Sequence, residues 1–80
     1  MTYIEAIELL LRRLTEKDKI YGSSYKTSSL EWLFTRLNDE VYELNDAIFE
    51  GYASRKDIIN EALDVAICAL LIVDNIITEG

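Results

Sequence analysis

Two acidic pairs stand at helical spacing in a chain of 80 residues, Glu40-x-x-Glu43 and Glu61-x-x-Asp64. Residues three apart are neighbours on one helix face, so each pair presents two carboxylates together. Asp64 directly precedes the apolar run Val65 to Val73, where burial is expected. A lone buried carboxylate is costly, and it normally protonates, pairs with a cation or coordinates a metal. Four converging carboxylates repel one another unless a hard cation sits among them. Oxygen-only ligands favour Mg²⁺, with Mn²⁺ as a substitute. The plainer reading is a set of solvated helix acids. On that reading Arg36, four residues before Glu40, simply pairs with it, and Glu61 decorates a helix start where negative charge is favourable. Spacing alone leaves both readings open.

Composition narrows the chemistry further. There is no histidine and only one cysteine, Cys68. That excludes a zinc site of the usual nitrogen and sulfur type, a Ser-His-Asp triad and a Cys-His pair. A lone thiol in an apolar run reads as a small core residue. The net charge is −7, and a negative field of that size argues against nucleic acid polymers and anionic membranes as partners. A small phosphorylated substrate stays possible if a cation bridges the two negative parties. The opening Met-Thr-Tyr-Ile-Glu is no secretory signal, since Glu5 and Glu8 stand where one would be basic and then apolar. The longest apolar run falls far short of the ~20 residues a bilayer requires. A cytoplasmic protein without a membrane span is the expectation.

Three elements must position these acids. No proline and three glycines favour long helices over a many-turned sheet. Thr2 with Glu5, Ser28 with Glu31 and Ser54 with Asp57 each have capping-box spacing. The first helix carries an apolar face through Ile4, Ile7, Leu11 and Leu14, with Arg12, Arg13 and Lys17 elsewhere, and ends near Asp18 or Lys19. The segment Ile20 to Thr27 reads as a loop. Its two tyrosines and Lys26 would either meet a base and a phosphate or cover the core edge. The second helix buries Leu30, Leu33, Leu37, Val41, Leu44 and Ile48, and Gly51 stops it. The third runs to about Ile77. Its middle is apolar all round, so it must be covered on all sides. Two other helices of one small subunit can hardly do that. The expected fold is therefore all-α, one domain over residues 1–80, a three-helix subunit completed into a bundle by homo-oligomerisation.

Ser29-Leu30, the stretch Leu37 to Ile48 and the stretch Ile59 to Val65 together resemble the MazG-like family of all-α nucleoside triphosphate pyrophosphohydrolases. The family pattern, E-E-x-x-E followed by E-x-x-D, reads here as Asp39-Glu40-x-x-Glu43 and Glu61-x-x-Asp64. The resemblance covers about Thr27 to Ile77. It implies that Glu40, Glu43, Glu61 and Asp64 are the catalytic residues and the Mg²⁺ ligands. It implies hydrolysis of a nucleoside triphosphate to the monophosphate and pyrophosphate, by a homodimer or homotetramer. Asp39 departs from the family's first glutamate, and its side chain reaches less far. The family's fourth helix, which supplies cations to the phosphates, has no counterpart soon after Ile77. That role is either unfilled or met by Lys26, Arg36, Arg55 or Lys56, from this subunit or a partner. Asn75 lies in line with Glu61 and Asp64 along the third helix, and either reaches the substrate or is a polar residue near a fraying end. The alternative to an enzyme is a non-catalytic MazG-like module that binds a nucleotide or assembles helices.

Overall fold

The structure, a computed structural model, describes residues 3–21, 29–51 and 53–79. They form three α-helices and, among the described residues, no strand. These are α1 (Tyr3–Tyr21), α2 (Leu30–Phe49) and α3 (Arg55–Glu79). None of these helices is long and apolar enough to cross a membrane.

The turn between α2 and α3 is fixed by local chemistry. The Glu50 N–H donates to the Asp46 carbonyl at 2.9 Å, closing the last turn of α2. Gly51 follows at φ +81°, a left-handed conformation that costs glycine little and other residues more. At the start of α3 the capping box forms as the sequence leads one to expect. The Ser54 hydroxyl accepts from the Asp57 N–H, and the Asp57 carboxylate accepts from the Ser54 N–H, both at 3.1 Å. The α2 cap differs by one residue. Ser29, rather than Ser28, takes the extended conformation and accepts from the Trp32 N–H at 3.1 Å. Thr2, Lys26 and Ser28 lie outside the described residues. Helix α1 runs on to Tyr21, past the expected end near Asp18 or Lys19, because the chain has no glycine or proline until Gly22.

Helix α2 packs along α3 and α1 packs against α3 alone. The core is small, with Leu33, Ile67 and Cys68 as its buried apolar residues. On α2 the covered stripe runs through Leu33, Leu37, Glu40, Leu44 and Ala47. Leu30, Val41 and Ile48, expected on the buried face, lie on its exposed edge. One neighbouring helix covers a narrower stripe than two would. The correction on α1 is larger. Ile4, Ile7 and Leu11 are exposed; Leu14 is covered as expected, and Leu10, Arg13 and Lys17 turn inward with it. Two cations on that inward face have a buried partner on α3, and this sets the rotation of α1. Along α3, Leu70, Val73, Ile76 and Ile77 stay open.

Candidate metal centre

The α2–α3 hairpin brings three of the four acids together. Glu40, Glu43 and Glu61 each place a carboxylate oxygen within 4.8 Å of the others. Glu40 comes from the covered stripe of α2 and is 3 % exposed. Glu43 stands one turn on, towards solvent, and Glu61 is half-buried on α3. Glu43 and Glu61 face each other because α2 and α3 run antiparallel from the turn at Gly51.

Two of these oxygens, Glu40 Oε2 and Glu61 Oε2, are buried without a hydrogen-bond partner. Buried polar atoms in folded proteins are almost always satisfied, so orphaned carboxylate oxygens need a proton or a cation. Glu40 Oε1 is satisfied by Arg36 Nη2 at 2.7 Å. The pairing that the plainer reading foresees is therefore present. It engages one oxygen and leaves the other free to act.

Titration reflects the same crowding. Burial pushes the Glu40 carboxyl up to about 7, and the adjoining Glu43 carboxylate adds to it. Burial, followed by Glu43 and Asp64, pushes Glu61 up as well. Near neutral pH the group thus tends to hold a proton that a divalent cation would displace. Three hard oxygen donors, two of them orphaned, fit Mg²⁺, which keeps several waters and takes few protein ligands.

Asp64 is placed differently. It is buried but not alone. Arg13 Nε donates to Oδ1 at 3.0 Å, Arg13 Nη2 donates to Oδ2 at 3.2 Å, and Lys17 Nζ sits 3.2 Å from Oδ1. The hydrogen bonds to Asp64 raise the Arg13 guanidinium above its ordinary value. Arg13 and Lys17, off the apolar face of the first helix in the sequence, were not expected at Asp64. A signal was present. Four residues apart, they share one face of α1, in a chain with only eight basic residues.

The other expected contacts fall in different places. Arg36 stands at the edge of the acidic group, with Asp39 3.8 Å away on its outer side. Asn75 is buried on α3, but the eleven residues from Asp64 put it about 16 Å further along the helix. It is therefore not brought to the three glutamates. Cys68 is buried in the core, and burial pushes its thiol up. No known protein family, curated protein or solved structure matches the chain.

Proposed function

We propose that this protein is a Mg²⁺-dependent nucleoside triphosphate pyrophosphohydrolase of the MazG-like kind, cytoplasmic and working as a homodimer or homotetramer. The observation that carries this reading is the pair of orphaned, buried oxygens on Glu40 and Glu61, set within one three-carboxylate group. Glu40, Glu43 and Glu61 would hold Mg²⁺, or Mn²⁺ in its place. Asp64 would join them once Arg13 and Lys17 release it. The metal supplies neutralisation of phosphate charge, a large part of what phosphoryl chemistry requires. The chain's own part is to orient water. Glu43, the most exposed of the three, is the carboxylate best placed to take a proton from a water attacking the α-phosphorus. The new bond joins the water oxygen to that phosphorus, and the bond to the bridging oxygen breaks, releasing pyrophosphate.

One observation favours a second reading, a helical assembly module without turnover. Asp64 is already neutralised by Arg13 and Lys17, as a purely structural acid would be. Incubation of the protein with each NTP and dNTP, with and without Mg²⁺, separates the two. The first reading expects monophosphate and pyrophosphate only with metal. No product above that of a variant with all four acids changed to glutamine or asparagine would leave the second reading standing.

A further inference from the structure

A cleft of about 630 Å³ opens between α1 and α3. Its polar wall carries Arg12, Arg13 and Lys56 against one carboxylate, Glu16. This is the reverse of the chain as a whole, whose net charge is −7. Arg12 and Lys56 come from different helices, are exposed, and form no ion pair among the described residues. Unpaired cations of one sign held across a concave wall repel each other and attract a multivalent anion. Its apolar lining comes from Leu9, Ile59 and Leu63.

Arg13 joins this cleft to the acids. Two of its nitrogens hold Asp64, and its third, Nη1, lies 3.9 Å from Glu16. That last contact is long and carries little energy, so an anion in the cleft could take its place at Nη1. Planar guanidinium groups suit this work, because their donors match phosphate oxygens in pairs.

We infer that the α1–α3 cleft is a binding site for the phosphates of a small polyphosphate ligand, with Arg12 and Lys56 as its free cations and Arg13 as its link to Asp64. The choice of a polyphosphate over other multivalent anions rests on the proposed function; the cleft and its charge do not. A ligand seated here meets Arg13, whose other two nitrogens hold Asp64.

Calorimetry with inorganic tripolyphosphate, in buffer stripped of divalent metal, tests the inference without requiring turnover. The full chain is expected to bind saturably, and added salt should weaken the binding. The double variant Arg12→Gln, Lys56→Gln is expected to bind about tenfold or more weakly, the loss that goes with removing charge-assisted hydrogen bonds. Its melting temperature should match the parent, since neither side chain supports the fold. A nucleoside triphosphate binding more tightly than tripolyphosphate would place a nucleoside on the Leu9, Ile59 and Leu63 lining. Equal affinity would mean that the phosphates alone are recognised. Both results support the site. No binding of tripolyphosphate to the parent, or equal binding by the double variant, overturns it. Binding that survives while the hydrolysis assay finds no product keeps the site and removes the proposed enzyme.

Discussion

Arg13 on α1 grips Asp64 on α3 side-on, Nε on Oδ1 at 3.0 Å and Nη2 on Oδ2 at 3.2 Å. The residues are 51 apart in sequence. The two-pronged geometry fixes both the rotation of α1 and the direction of the Asp64 carboxylate. With Lys17 on the same carboxylate, it is the main polar tie of α1 to the hairpin.

Breaking that tie should loosen α1. Arg13→Ala leaves Asp64 buried with Lys17 alone, and should lower stability by about 1–3 kcal/mol. Asp64→Asn should destabilise as well, because it strands two cations rather than relieving a lone charge. Urea unfolding midpoints measure both. An Asp64→Asn protein more stable than the parent would contradict the pairing.

Glu40 makes stability depend on pH in an unusual direction. Its carboxyl sits at about 7 in the folded protein against an ordinary 4.5. Between those values the folded protein keeps a proton that the unfolded chain has released. Stability should therefore be highest near the lower value, fall as pH rises through the window and level off above about 7, losing no more than about 3 kcal/mol. Glu61 is raised also and acts with the same sign. Unfolding midpoints from pH 5 to pH 8 in metal-free buffer should show this slope, and Glu40→Gln should flatten most of it.

The α2–α3 turn offers two clean substitutions. Ser54→Ala removes one half of the capping box and should cost about 1 kcal/mol. Gly51→Ala meets no atom within 4 Å of the new Cβ. Its cost is the backbone strain at φ +81° alone, about 1–2 kcal/mol. Thermal melts of the two variants and their combination should give nearly additive losses.

Leu70, Val73 and Ile77 lie at helical spacing on one side of α3 and are 42 %, 52 % and 71 % exposed. If homo-oligomerisation covers this side, sedimentation should find a dimer or tetramer, and Val73→Asp should shift it towards monomer. A parent protein that sediments as a monomer at high concentration would remove the assembly from the account.

Much of the fold is legible in the sequence, because it rests on local rules. The Ser54–Asp57 box and the Gly51 stop are short-range chemistry, and both form as read. The meeting of Glu43 with Glu61 follows from counting outward on either side of that turn. The rotation of α1 was not legible. Its apolar residues Ile4, Ile7 and Leu11 argue for one face, and the salt bridge from Arg13 to Asp64 selects another. No periodicity within α1 reveals a partner 51 residues away. The same gap hid the cations on Asp64, whose charge acts on Glu40 and Glu61 while Arg13 and Lys17 from another helix hold it. Ser29 displaced Ser28 as the α2 cap, a choice between adjacent serines that spacing to Glu31 misjudges by one position.

Whether Glu40, Glu43 and Glu61 hold a divalent cation is read from the melting temperature in graded Mg²⁺. A cation that binds only the folded state stabilises it by linkage, by about 2.7 kcal/mol at a hundred times its dissociation constant. For a chain of this size that is a rise of roughly ten degrees or more. The expected rise grows with free Mg²⁺, is reproduced by Mn²⁺ and disappears in Glu43→Gln. A melting temperature indifferent to both metals, or a full rise retained in Glu43→Gln, would contradict it.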